Sequence, residues 1–381
     1  MSEIAHSLVR RAVGATQEHY ANDGTSEDGH LKRVTLGAMI LLWATTILFM
    51  AFISAVSYTY GEVVATLTMI ETPTAAAFTS EGNATEIEEQ GLDKKSAKIV
   101  EADVLLVKQK PVTSKLRTTV KHIRAIGGPF ARFRGLHIAI IYAFAHNVLV
   151  NLVAGHRASI LRSLVSIVAS VALCRLQMTW THSVISMPSN KRWWRRYPTF
   201  RAAKNIMLPT AVWATAQQLS VYIPTVLMLM THETFQRPQD FGSNPEAVRK
   251  VALVQFIGIF IIFIATIILV VIPADVTLKR VQASMLPEED EAIVPFDRTF
   301  GGKVTPVALG GSGAVSPLDA WRTFDREARL RIIKVYGKII AIQTSLVFLY
   351  GLIIIGELKL IMGGDFEKMI SNAHKSIKGE L

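Results

Sequence analysis

Apolar residues in this chain gather into long runs without charge, and polar residues gather between them. The runs 34–61, 135–155, 205–232, 251–272 and 339–356 contain no Asp, Glu, Lys or Arg. A hydrocarbon core about 30 Å thick takes roughly 20 helical residues, so each run is long enough, or nearly so, to cross it. In lipid, a helix is what closes its own backbone hydrogen bonds within such a segment. A shorter run lies between Arg162 and Arg175. Apolar character resumes on both sides, and Arg side chains can snorkel towards headgroups, so this run also reads as a span. The pattern therefore predicts an all-α, polytopic transmembrane helical bundle of about six spans, at 34–58, 135–155, 159–183, 207–231, 251–273 and 338–361.

The connecting segments differ in character. A polar tail occupies 1–33, and 59–134 is a long loop, acidic around Glu86, Glu88 and Glu89, then basic. Residues 184–206 form a basic, aromatic loop, 232–250 a short balanced one, and 362–381 a C-terminal tail. Within 274–335, Gly301, Gly302, Gly310, Gly311 and Gly313 read as a flexible linker. Ser316, Pro317 and Asp319 then suit a helix start, as cap, first-turn residue and dipole partner. Trp321, Phe324, Ala328, Ile332 and Val335 recur at helical spacing, predicting an amphipathic helix over 317–335. That helix is expected to lie at the bilayer interface before the last span, with packing against other loops as the alternative.

Composition agrees with this reading: 50% of residues are hydrophobic and only 19% charged, where soluble chains carry about a quarter charged. The 41 Lys and Arg exceed the 30 Asp and Glu, and they are unevenly placed. Six spans put both termini on one side; that side carries 11 Lys and Arg in its tails and loops, the other 26. The positive-inside rule then sets the odd-numbered loops in the cytosol and both termini in the lumen or outside. The first 33 residues are polar and the first span is too long for a signal-peptide core, so that span is expected to act as the insertion signal. Asn83-Ala84-Thr85, the one glycosylation sequon, would face cytosol and stay bare. Lys378-Gly379-Glu380-Leu381 is close to the lumenal retrieval signal Lys-Asp-Glu-Leu, which weakly favours the endoplasmic reticulum or another endomembrane.

Polar groups inside spans are costly to bury and are therefore the natural candidates for activity. Asn147 and Asn151 share a helix face beside His146; Arg175, Thr179 and His182 form a second stripe. Gln217 and Glu357 complete an intramembrane polar set, in which Arg175 or His182 would pair with Glu357 across a water-accessible cavity. The plainer alternative is that these groups hydrogen-bond helices together. Lys191, Arg192, Trp193, Trp194, Arg195 and Arg196 read as an interfacial anchor against the bilayer and its anionic headgroups rather than as a nucleic-acid site. No phosphate-binding loop, zinc-protease or nucleophile-elbow motif is present, and the histidines have no metal spacing, so neither enzyme activity, cofactor nor metal is expected. Cys174, the sole cysteine, excludes an internal disulfide and sits in an apolar run.

Two resemblances follow. Pro273-Ala274-Asp275-Val276-Thr277-Leu278-Lys279-Arg280-Val281-Gln282 partly matches the mitochondrial carrier signature, but Leu278 stands at its lysine position and the motif occurs once where carriers need three. The chain more closely resembles a filamentous-fungal family of uncharacterised multi-span membrane proteins often labelled "ubiquitin carrier" or "ubiquitin-conjugating". Trp180-Thr181-His182, Ser186-Met187-Pro188-Ser189, Ala283–Asp290 and Ile293–Gly302 carry the likeness, which extends from about the first span to the last. It implies a polytopic membrane protein without an assigned activity. Conjugation would need an accessible thiolate, which Cys174 inside a span does not supply. The acidic segment Pro287–Gly302 reads as a solvated linker. The expected role is transporter- or channel-like; the alternative is a membrane scaffold recruiting partners through its cytosolic loops.

Overall fold

The computed structural model describes residues 36–72, 75–78, 105–108, 111–155, 160–235, 245–305, 310–362 and 371. The N-terminal tail, Asn83, most of the acidic loop and Lys378–Leu381 lie outside them. The fold is all-α, apart from a small antiparallel ribbon in which β1 (Ala75–Phe78) pairs with β2 (Leu105–Lys108). Its helices are α1 (Leu36–Ser57), α2 (Ala65–Ile70), α3 (Leu116–Gly127), α4 (Leu136–Ala154), α5 (Ile160–Ala172) and α6 (Cys174–Ile185). There follow α7 (Phe200–Phe235), α8 (Pro245–Thr266), α9 (Ile272–Ser284), α10 (Pro317–Arg322) and α11 (Arg326–Met362).

Four helical stretches among the described residues are long and apolar enough to cross a membrane, or five if α5 and α6, bent by 59°, count as one span. The fourth expected span, 207–231, falls within α7, but Pro209, Gln217, Gln218 and Pro224 hold its apolarity below that standard. Three stretches far exceed roughly 20 residues: Gly37–Ile70 has 34, Leu253–Ser284 has 32 and Arg326–Met362 has 37. The helices thus run on past the expected span limits at 58, 273 and 338, and a helix need not end where hydrocarbon does. Its later turns can exchange lipid for protein as their surroundings. A π-helical segment, Tyr58–Val64, joins α1 to α2, and another, Ile267–Val271, joins α8 to α9. The second immediately precedes Pro273 in the first turn of α9, where a missing amide and a bulky ring disrupt regular α-helical bonding.

The chain divides into two compact units. The first comprises 1–61, 221–265 and 336–381. In it α1 and the later turns of α11 run antiparallel, joined by a polar ladder. Thr45 Oγ1 donates to Glu357 Oε1 at 2.7 Å, Tyr350 Oη to Thr46 Oγ1 at 2.9 Å, and Gln343 Nε2 to Ser57 Oγ at 2.6 Å. Phe49 stacks on Tyr350 at 4.8 Å. The start of α1 and the end of α11 thus lie at the same end of this unit. Such interhelical bonds contribute about 0.6 kcal/mol each in lipid, which is modest but sets the register. Outward, the unit presents Trp43, Leu48, Phe256 and Phe348, each more than 60% exposed. An apolar surface on that scale is the face of a membrane bundle, not of a body in water.

The second unit comprises 62–220 and 266–335 and is protein-filled. Residues Val63–Glu71, Leu176–His182 and Leu278–Ala283 are buried continuously, so α2, α6 and α9 are enclosed on all sides. Cys174, Met178, Ile206, Val281, Phe300 and Ala320 form one apolar cluster within it. The predicted start at Ser316 is present: its Oγ accepts from the Asp319 amide at 3.1 Å, with Pro317 opening α10. The single interfacial helix over 317–335 is not. Thr323–Asp325 break it, and its second half is the opening of α11. Phe324, Ala328, Ile332 and Val335 are all at most 5% exposed, so the apolar face meets protein and is unavailable to the bilayer. The acidic segment is likewise no solvated linker. Met187 N donates to Glu291 O and Ile293 N to Ile185 O, at 2.7 and 2.8 Å, while Thr72 N donates to Pro295 O at 2.9 Å. Ile293, Val294 and Phe300 are buried. Phe300 holds φ at 52°, and Gly301 and Gly302 follow at 68° and 80°. Two glycines adopt that left-handed run without a Cβ clash.

Candidate functional site

Charge enters the second unit at a few enclosed points, and each is held by more than one chain segment. Glu71 ends α2 and is 2% exposed. Its carboxylate accepts from the amides of Val112 and Thr113 at 2.6 and 3.1 Å and from the Thr113 hydroxyl. Arg331 Nη1 of α11 pairs with it at 3.0 Å. A buried carboxylate is tolerated when its lone pairs are filled in this way. Arg280, 3% exposed, is instead caged by neutral oxygens. It donates to Ala320 O at 2.9 Å, Met69 O at 3.2 Å and Thr323 Oγ1 at 3.0 Å, with its guanidinium 4.8 Å from the Phe300 ring centroid and 5.3 Å from that of Phe324. Lys279 points its ammonium at the Trp180 ring, 4.1 Å from the centroid.

Within the second unit, the predicted intramembrane residues make several separate contacts. His182, fully enclosed beside Thr181, bonds Gln282 O at 2.8 Å, and Thr181 Oγ1 donates to Gln282 Oε1 at 2.6 Å. Arg175 donates through Nε and Nη2 to Pro198 O at 2.9 and 2.6 Å and lies 4.3 Å from the Tyr197 ring centroid. Thr179 bonds its own helix at Arg175 O. Glu357 belongs to the first unit, where it bonds Thr45. Asn147 turns to Ala143 O, and Gln217 is exposed. Asn151 Oδ1 accepts from Arg162, which also bonds Gly155 O and so closes the end of α4. His146 does enter a polar group: Ser166 O and Ser170 Oγ both lie 3.2 Å from its Nε2, and Gln218 Nε2 donates to Ser166 Oγ at 3.0 Å. The glutamine that joins this group is Gln218, not Gln217.

The basic aromatic loop divides into two sets. Arg192, Trp194 and Arg195 are exposed, with the Arg192 guanidinium 5.1 Å from the Trp194 ring centroid. Arg196 turns inward and donates to Ser186 Oγ and Ser189 Oγ. Lys191 pairs with Glu289 at 2.7 Å and Asp290 at 3.4 Å. The Glu289 hydrogen bond holds its ammonium above the ordinary lysine range, against the opposing effect of desolvation. Arg134, at the mouth of α4, donates to Ser183 O at 3.3 Å and to Ser186 O. Nearby, burial works to raise the Asp297 carboxyl, but hydrogen bonds from Thr299 and the amides of Gly301, Thr299 and Phe300 outweigh it. The result is a carboxyl below the usual aspartate range.

A cavity of about 670 Å³ lies in the second unit between α7, the start of α9 and α10, lined by Pro209, Val212, Leu269, Pro273, Leu318 and Trp321 among others. None of the predicted polar set lines it. A second, of about 270 Å³, gathers Arg134, Lys191 and Arg196 around Gly135. Among the described residues no three His, Cys, Asp or Glu side chains come together as a metal site. Sequence reasoning missed Glu71, Lys279, Arg280 and Arg331, because charges at the end of an apolar run read as loop. The available signal was a single acid, Glu71, closing an apolar run immediately before Thr72 and Pro73. No family model, curated protein or solved structure matches the chain.

Proposed function

We propose that this protein is a multi-pass membrane scaffold: a lipid-facing bundle carries a rigid second unit whose surface organises partners. The observation that carries this reading is the Glu71–Arg331 pair with its two amide bonds, which ties α2, the 112–114 turn and α11 together. A surface that recruits partners gains affinity from being preorganised, and buried, fully bonded charges supply such rigidity. We further propose that the exposed Arg192, Trp194 and Arg195 rest on anionic headgroups. Our reading also has both termini on the lumenal side of the endoplasmic reticulum or another endomembrane. The charge asymmetry and the retrieval-like Lys378–Leu381 support this, as does the common end of α1 and α11. The likeness to the fungal multi-span family fits the same reading without adding an activity.

Transport or channel activity is the second reading, favoured by one observation. Glu357 Oε2 is buried and without a hydrogen-bond partner, a carboxylate oxygen open to a proton or cation. One experiment separates the two. Glu357→Gln would abolish flux in proteoliposomes if the protein transports. The scaffold reading expects unchanged protein neighbours in proximity labelling for this variant, and altered neighbours for the exposed-surface variant Glu288→Lys/Glu289→Lys. Flux that is present in the parent and lost in Glu357→Gln would overturn the scaffold reading.

A further inference from the structure

We infer that the cleft between α7, α9 and α10 holds one acyl chain of a membrane lipid. The cleft is about 670 Å³, and every residue lining it belongs to the second unit. That volume falls in the range of about 300–1,000 Å³ found for small-molecule sites. No charged side chain among the described residues lines it. Its two hydroxyls are already used: Thr215 Oγ1 donates to Ala211 O and Thr277 Oγ1 to Pro273 O, both at 2.8 Å. A polar ligand would lose its water there without finding partners, whereas a hydrocarbon chain needs none.

The residues explain the shape. On α7, Leu208, Val212, Thr215 and Leu219 face the cleft at spacings of four, three and four, a continuous helical stripe. Eleven residues separate its ends, about 16 Å of helix, so the cleft is elongated as a chain is. Across from it, the π-helical segment Ile267–Val271 and Pro273 interrupt regular helix, and the small side chains of Ala211 and Ala274 leave the gap unfilled. Apolar atoms facing a gap forfeit dispersion contacts that an inserted chain restores. The occupant follows from what the cleft joins. Leu269 and Val270 belong to the 253–284 stretch, which is long and apolar enough to cross a membrane. Leu208 and Leu269, both at the cleft, are 66% and 73% exposed. The cleft is thus continuous with the lipid-facing surface, where acyl chains are the apolar species at hand. Its remaining wall, α10, lies outside every expected span and contributes Leu318 and the half-buried Trp321. The polar end of the lipid therefore sits by α10, at the depth that indoles favour.

The test uses the full chain, stripped of lipid in neutral detergent and titrated with palmitoyl-oleoyl phosphatidylcholine. Native mass spectrometry counts the lipid on the intact protein. One lipid per chain is expected to bind saturably, and phosphatidylglycerol with the same chains should match it, because the chain and not the headgroup is held. Ala211→Phe puts a ring into the cleft and should raise the half-saturation point about tenfold, the factor carried by roughly two methylenes kept out. Its unfolding midpoint without lipid should hold or rise, since the ring fills the gap. Leu318→Asp changes an exposed side chain, is the safer variant for folding, and should weaken binding to a similar degree. Phe256→Ala, at an exposed position of the first unit, should leave binding unchanged. No saturable lipid, or one indifferent to both Ala211→Phe and Leu318→Asp, would overturn the acyl-chain site. A clear preference for phosphatidylglycerol would overturn it in favour of a headgroup site. Lipid-free dimers that Leu318→Asp dissociates would overturn it in favour of a second copy as the occupant.

Discussion

Removing Arg331 tests how the second unit is held together. Its Nη1 lies 3.0 Å from Glu71 Oε2, and the two side chains are 11% and 1% exposed. Arg331→Met would leave Glu71 with the Val112 and Thr113 donors but without the only charge the pair supplies. Losing one member of a buried pair costs about 3–5 kcal/mol, because the other charge stays enclosed without compensation. For a body of 150–250 residues each kcal/mol moves the midpoint by roughly 2–4 °C, so a fall of about 10 °C is expected. Glu71→Gln leaves the Arg331 guanidinium without its carboxylate, but should cost less than Arg331→Met, since Arg331 is the more exposed member of the pair, 11% against 1%. The pair Glu71→Gln/Arg331→Met should be milder than the sum of the singles, a coupling of about 1–3 kcal/mol. Thermal unfolding in detergent, followed by fluorescence for all four proteins, gives that cycle. Additive singles, or an Arg331→Met midpoint within a degree or two of the parent, would refute the claim that this pair fastens α2 to α11.

Three further outcomes follow from the geometry. Ser316→Ala removes the cap of α10 and should cost about 1 kcal/mol in the same unfolding assay, whereas Ser316→Asp should recover most of it. Asp297 is held below the usual aspartate range, so its contribution is present above that range and is lost as pH falls through the depressed value. Asp297→Asn should flatten the acid limb of the stability–pH curve and leave neutral pH with only a small loss, measured by midpoints across an acid titration. Cys174 is 2% exposed; it should resist a membrane-permeant maleimide in the folded protein and react on unfolding, as read by mass spectrometry.

The helices were legible because lipid and water impose opposite demands on a backbone, and runs such as 34–61 answer only one of them. What could not be read was where each helix stops being in lipid. Lys279 and Arg280 looked like part of a loop beginning after Pro273, yet α9 continues to Ser284 with both buried. Hydropathy records the absence of charge, and it cannot distinguish a charge in water from one caged by carbonyls and aromatic rings. The amphipathic face of 317–335 was found correctly, but amphipathicity does not name the partner, and protein rather than bilayer covers it. Arg175, His182 and Glu357 were sound candidates as costly polar groups. Their partners, Pro198, Gln282 and Thr45, are set by tertiary contacts that no spacing along the chain reveals. Arg134 and Ser186 are remote in sequence and meet only through the fold.

The account turns on a single helix, α11, serving two solvents. Spin labels placed singly along 326–362, read for collisional access to oxygen and to a water-soluble nickel complex, test this most directly. Labels at Phe348, Leu352 and Ile355 should collide with oxygen and little with nickel, and labels at Ala328 and Ile332 should be shielded from both. High nickel access at Phe348 and Leu352, or high oxygen access at Ala328 and Ile332, would contradict it.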